Sequence, residues 1–335
     1  MKPCNKRGVA LALMLILMLS PVVAAENRLG PLFDHTDLVA LGDVHGSERP
    51  VDYLIGQLQQ PATAARVDNI VVEFGNARHQ ALADEYVLSG ADLTVESLQP
   101  IWRDTLYFMA WQTPQYLHLM SFLRQHNATS EHAIRLVLTE PEFDWSSITR
   151  EQWQALTVSR EVSYQRTVQQ EVLNRKQTAV LLFGSFHQMK IPLAVAGKEG
   201  VFTSLVAGLR NQGEEVITLW PHTGPALESS SPTGGEYQVP TLIDLQTDPY
   251  GQQRLSDFSG RFQSDKPLSA IADYYLYQGA DFRTAQPDER NIKDRRWHQE
   301  MRRRAALTGG RVQQQVDGWL ERYVQPCKSD YAKEQ

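Results

Sequence analysis

The sequence predicts an α/β fold: a mainly parallel sheet flanked by helices, with a helical cap inserted between strands. Two features point there. Short apolar runs alternate with helical stretches, the pattern of strand–helix–strand crossovers. Two of those runs also end alike, Leu38 to Gly46 (Leu-Val-Ala-Leu-Gly-Asp-Val-His-Gly) and Ala179 to His187 (Ala-Val-Leu-Leu-Phe-Gly-Ser-Phe-His). Each is a strand that stops at glycine and presents an imidazole, which is how open α/β sheets build sites at their carboxyl edge.

Taken in order, residues 1–25 read as a secretory signal peptide. Lys2, Lys6 and Arg7 precede the apolar run Val9 to Leu19, and Val23-Ala24-Ala25 offers small residues for cleavage near Ala25. That run is short of the roughly 20 residues a spanning helix needs. The expected location is therefore exported, periplasmic or secreted, with no stable membrane insertion. An α/β domain is expected over 31–285, with helical insertions near 77–130 and 147–176, and a charged helical tail over 286–335.

Strands are expected at Leu38–Leu41, Ile70–Val72, Ile134–Leu138, Ala179–Phe183, Val216–Trp220, Thr241–Leu245 and Tyr274–Tyr277. Several are too continuous in apolar character to be one-sided, so both sheet faces should be covered. Pro50 opens a helix whose apolar positions Val51, Leu54, Ile55 and Leu58 recur at three- and four-residue steps. Lys198 to Gly213 reads as another, closed by Asn211 and Gly213. Between Glu73 and Ile134 lies room for several helices, rich in aromatics (Trp102, Tyr107, Phe108, Trp111, Tyr116, Phe122) that suit helix packing. A second helical block spans Ser147 to Lys176, and the two blocks are expected to cap the open end of the sheet. Thr223 to Glu236, rich in Gly, Ser and Pro, reads as a surface loop. The tail cluster Arg295, Arg296, Arg302, Arg303 and Arg304 reads as a solvated helix face.

Composition narrows the partners. The chain holds 33 basic and 39 acidic groups; loss of 1–25 removes three basic groups and no acid, leaving 30 against 39, a charge of −9. An acidic chain argues against a nucleic-acid partner or an anionic membrane surface; the expected partner is a small-molecule substrate or ligand. Of two cysteines, Cys4 leaves with the signal and Cys327 stands alone, so neither an internal disulfide nor a cysteine-rich zinc site is expected.

The chemistry-bearing residues follow the strands. Asp43 and His45 emerge from the first, Glu73 from Asn69–Glu73, and Glu140, Glu142 and Asp144 from the third. His187 follows the fourth, and His222 follows the fifth in Trp-Pro-His. Imidazoles and carboxylates gathered at one edge can activate water or hold a metal. Glu73 ends a run of β-branched residues, so its carboxylate is near burial and needs a partner. Asp144 suits a helix cap or a substrate contact, and His222 loop structure or a substrate contact.

Gly-Asp-Val-His-Gly also opens calcineurin-like metallophosphoesterases, but the second Gly-Asp of that family is missing, and two residues separate Asn76 from His79. The chain more closely resembles the superfamily of erythromycin esterase-like proteins, ChaN-like haem-binding proteins and the TraB/TIKI group. The resemblance rests on Gly42 to Ser47, the strand ending at Glu73, Arg135 to Trp145, Phe183 to His187 and Tyr274 to Gly279. It implies a sheet with a helical cap and, in esterase-like members, a histidine–carboxylate set that activates water against an ester without a required metal. By motif position His45 would be the base, Asp43 and Glu73 its orienting acids, and His187 the second imidazole. Aspartate at position 43 stands where glutamate looks more usual. The expected function is thus an ester- or amide-directed hydrolase, with binding of haem or another ligand, or a divalent-metal hydrolase, as alternatives.

Overall fold

The computed structural model describes residues 28–197, 199–224, 227, 237–257, 264–280 and 285–324. The signal at 1–25, Lys198, Cys327 and most of the 223–236 loop lie outside them.

The chain runs from β1 (Leu38–Asp43) through α1 (Arg49–Leu58) and α2 (Pro61–Ala64) to β2 (Asn69–Asn76). Then come α3 (Gln80–Val87), α4 (Val95–Leu98), α5 (Pro100–Arg103), α6 (Gln115–Asn127) and β3 (Arg135–Glu140). The long α7 (Arg150–Glu171) precedes β4 (Ala179–Gly184). A small ribbon of β5 (Leu193–Ala194) and β6 (Val201–Phe202) leads through α8 (Leu205–Asn211) to β7 (Val216–Pro221). β8 (Thr241–Asp244), α9 (Leu268–Ile271) and β9 (Tyr274–Tyr277) complete the sheet, and α10 (Glu289–Lys293), α11 (Arg295–Thr308) and α12 (Gly310–Val324) form the tail.

Seven strands lie in the order β3-β2-β4-β1-β7-β9-β8, all parallel except β8, which is antiparallel to β9. The fold class is the α/β class expected. From β1 the chain steps outward to β2 and β3 and then returns to insert β4 between β2 and β1. Right-handed crossovers must therefore change face at that return. They do: α1, α3 and α6 pack on one face over Val39, Leu41, Ile70, Val72 and Leu138. Helices α7 and α8 cover the other, over Ala40, Val71, Leu181 and Phe183.

Three expectations change. The helix expected from Lys198 starts at Leu205, where the Ser204 hydroxyl accepts from the Ala207 N–H; Gly197 and Gly200, at φ 71° and 83°, turn the preceding chain into the ribbon instead. The two helical blocks cover the sheet faces as well as capping the sheet, and the cap is not theirs alone: the cluster over the carboxyl edge that includes Leu106, Phe108, Trp145, Trp153, Trp297, Met301 and Val316 draws on the tail too. Arg304 is no part of a solvated face: it is buried, 2.7 Å from both Asp104 and Glu300, with its guanidinium over the rings of Trp145 and Trp297. Arg295, Arg296, Arg302 and Arg303 do remain exposed. Among the described residues no helix is long and apolar enough to cross a membrane.

Candidate active site

Register brings the site together. Asp43 lies beside Gly184 across the β1–β4 pair, and Val72 beside Leu182 across β2–β4, so the carboxyl ends of three adjacent strands open into one hollow. Alternation then sets direction. Leu41 faces the α1/α6 side, so Asp43 does too; Val71 faces the α7 side, as does Glu73.

Two glycines make the approach close enough. A Cβ at Gly42 would lie 2.3 Å from Cδ of Pro221, and one at Gly184 would lie 3.0 Å from Nε2 of His45 and 3.2 Å from Oε2 of Glu73. The repeated glycine of the two strand endings is thus a packing requirement in both places. Gly184→Ala should displace the His45 ring by a few tenths of an ångström. The displacement is expected to shift the His45 imidazole resonances with the melting temperature barely changed, read from NMR spectra and thermal unfolding in parallel.

Glu73 is the hub. Its Oε2 accepts from the Gly184 backbone N–H at 2.8 Å and stands 3.3 Å from Nε2 of His45. Its Oε1 stands 3.2 Å from Nε2 of His187 and 3.8 Å from Nη1 of Arg160. Burial pushes the Glu73 carboxyl up, but the charges of His187 and His45, and their hydrogen bonds, hold it well below the carboxylate range. It is an anion between two imidazoles.

The two imidazoles differ. With Nε2–H directed to Glu73, His45 keeps Nδ1 as an acceptor, and about a third of its side chain is open to the hollow. Burial works to lower its pKa and Glu73 to raise it, the balance being a rise. Trp111 holds the ring from the side, edge-on at 4.5 Å. His187 is buried; its Nδ1 donates to Oε1 of Glu161 at 2.6 Å, and its Nε2 lies 3.2 Å from Nη2 of Arg160. Burial would lower its pKa, but Glu161 and Glu73 together lift it to about 9. The short turn that carries His187 is pinned by Gln188, whose amide donates to the carbonyls of Leu41, Leu181 and Phe183.

Asp43 takes a different role from the expected one. Facing the α6 side, it accepts from the Tyr116 hydroxyl at 3.1 Å and makes no hydrogen bond to His45, whose orientation is set by Glu73 instead. Its Oδ1 is buried with no partner among the described residues. Burial lifts its pKa to about 6, against the pull of His45. Glu140 is also buried, accepting from the Tyr164 hydroxyl and the Leu106 N–H, and burial raises it to about 7.

Asp144 and His222 are not brought in. Asp144 pairs with Arg78 at 2.5 Å and accepts from the N–H of Ser146 in a turn; it caps no helix, because α7 starts at Arg150 under a capping box of Thr149 and Gln152. His222 is buried against Tyr275 and Tyr277, with Nδ1 2.9 Å from the Tyr275 hydroxyl. Neither lines the hollow.

Arg160 and Glu161 went unnoticed in the sequence. They arrive on α7, whose buried positions are Trp153, Glu161, Tyr164 and Val168. A carboxylate on that buried stripe was the available signal. The hollow has a volume of about 1090 Å³, with Asp43, His45, Glu73, Arg160 and His187 among its lining and α12 along one wall. Among the described residues no group of three or more His, Cys, Asp or Glu side chains is spaced to hold a metal ion. His187 has both nitrogens engaged, so this set does not fit a metal or haem iron between the two imidazoles.

No protein-family model matches this sequence, and no curated protein matches it. Solved structures do. A mutant of erythromycin esterase EreC in its open conformation is similar at a TM-score of 0.50 and 12% identity, over 78% of this chain and 93% of that one. A succinoglycan biosynthesis protein is similar at 0.48 and 9%, over 75% and 90%. ChaN of Campylobacter jejuni, in a structure of its cofacial haem complex, matches at 0.33 and 11%, over 58% and 84%. The likeness to EreC is one of fold: this chain has an erythromycin esterase-like α/β fold, as its motifs implied.

Proposed function

We propose that this chain is an exported hydrolase that cleaves an ester- or amide-like bond in a small molecule, using His45 as general base. The observation that carries the reading is the Glu73–His45 pair at 3.3 Å, with the imidazole opening on a hollow large enough for an organic substrate. Glu73 holds the proton on Nε2 and steadies the imidazolium that forms, so Nδ1 takes a proton from water as its oxygen attacks the carbonyl carbon. The tetrahedral oxyanion that results is stabilised by the charge of the His187 imidazolium. Collapse expels the alkoxide or amine, which takes up a proton from an imidazolium, leaving acid and alcohol or amine. Among the described residues the side chains of the hollow form no metal-ligand set, so the activation of water falls to His45.

The test is turnover of a panel of esters, lactones and amides by the wild type and by His45→Ala and His187→Ala, before and after chelation. Turnover that survives chelation and is lost in both folded variants supports the reading. Full turnover in either variant removes the assigned role, and loss on chelation removes the metal-free mechanism.

A further inference from the structure

The guanidinium of Arg160 is held in an unusual state for a buried arginine. Its side chain is only 16% exposed, yet among the described residues its nearest polar contact is Nη2 to Nε2 of His187 at 3.2 Å, and that nitrogen carries a proton toward Glu73 and cannot accept. Its nearest carboxylate oxygens, on Glu73 and Glu161, are both 3.8 Å away, too far for a hydrogen bond. Both acids already serve the imidazoles: Glu73 accepts from Gly184 and faces His45, and Glu161 is bound to Nδ1 of His187. Among the described residues the N–H groups of Arg160 are therefore left without an acceptor, on a side chain that lines the hollow. Tyr107 fixes the plane of the group, its ring centroid 4.7 Å from Cζ.

An oriented fork of N–H donors with no acceptor among the described residues, opening on the hollow, is built for a planar anion, which it can bind through two parallel bonds. The wall opposite agrees in charge. On α12, Arg311, Gln315, Gly318, Trp319 and Arg322 recur at helical spacing and line the hollow, while Val316 and Leu320 face the core. Neither Arg311 nor Arg322 makes an ion pair among the described residues, whereas Asp43 and Glu73 at the floor are hydrogen-bonded.

We infer that the substrate of this hollow carries a carboxylate, bound by Arg160 beside an aromatic wall of Tyr107 and Trp153, close to the bond that is cleaved. The inference rests on the hydrolase reading for the word substrate, but not for the binding itself. Glu73 separates the two functions: His45 stands at Oε2, and Arg160 lies on the side of Oε1. Anion and scissile carbonyl are thus separated by little more than the width of one carboxylate.

The experiment is a calorimetric titration of the full mature chain with 2-naphthoate and its neutral isostere 2-naphthamide. The wild type is expected to bind the carboxylate at least tenfold more tightly than the amide. In Arg160→Gln the two affinities should come within about twofold, and Arg160→Lys, which keeps charge but loses the fork, should fall between. Circular dichroism establishes that each variant is folded; a purely structural Arg160 would weaken both ligands together. Equal binding of the two ligands by the wild type, no binding of either, or a preference that survives in folded Arg160→Gln overturns the inference. If the preference is absent while His45-dependent turnover of neutral esters persists, the carboxylate site falls and the hydrolase stands. If the preference is present and no ester is cleaved, the site stands and the hydrolase falls.

Discussion

His45→Ala is expected to lower kcat/KM for the preferred ester by about 10²–10⁴-fold, the range removed with a positioned general base, while the fold stays intact. The direction follows from what each nitrogen does. Nε2 is committed to Glu73, so the proton from water has one place to go, Nδ1, and alanine offers none. Stability should change little, because the ring is partly exposed and its main packing contact is the edge of Trp111. The loss belongs in kcat more than in KM, since the base acts as the water proton moves rather than when substrate binds. Substituting His45 by Gln separates shape from basicity: it refills the space and can still donate to Glu73, but cannot accept a proton at neutral pH. Steady-state kinetics on both variants, with thermal unfolding as control, read the result. A folded His45→Ala enzyme with undiminished turnover would refute the assignment.

Much of this arrangement was legible in the sequence, for identifiable reasons. A buried strand in a doubly covered sheet must be apolar on both sides, so the expected runs coincide with β1 to β4 and β7 to β9 to within a few residues. The edge at which ligands gather follows from parallel strands alone, which is why Asp43, His45, Glu73 and His187 could be placed together before any coordinate was known. Direction was harder. Asp43 was expected to orient His45, but strict alternation after Leu41 turns it toward α6 and Tyr116.

Residues on α7 were harder still. That helix is polar along most of its length, and its fit to the sheet depends on a sparse stripe of Trp153, Tyr164 and Val168. Without a dense apolar face to fix its rotation, the one local sign is the carboxylate of Glu161 on that stripe, and nothing marks Arg160. Arg304 is hard to pick out for a related reason. Five arginines in a short tail segment look alike in sequence, and only the packing of Trp145 and Trp297 picks out one for burial between two acids.

Glu73→Gln should have the second large effect, on stability as well as rate. The carboxylate is buried against His45 and His187, with Arg160 a little farther off, so removing its charge strands cations at low dielectric. Breaking a buried pair in this way costs about 3–5 kcal/mol. The rate should fall as well, on the order of 10²–10⁴-fold, because an amide can present N–H where Nε2–H of His45 needs an acceptor and so favours the wrong tautomer. The pH dependence gives a sharper test. The folded pKa of His187, about 9, exceeds its ordinary 6.5, so its stabilising contribution is complete below about 6.5 and lost as pH rises through 9. Glu73 works the other way: its folded pKa is depressed, so its contribution is present above the ordinary 4.5 and lost as pH falls through the lower folded value. In Glu73→Gln the acid-side loss disappears. Only Glu161 then remains to hold His187 charged, so the alkaline loss begins at lower pH. Melting temperatures measured from pH 3 to pH 10 should show both changes, an acid limb flattened and an alkaline limb moved down. An alkaline limb that stays in place would mean that Glu73 does not help to hold the charge on His187, and the role of Glu73 as shared anion of the two imidazoles would fail.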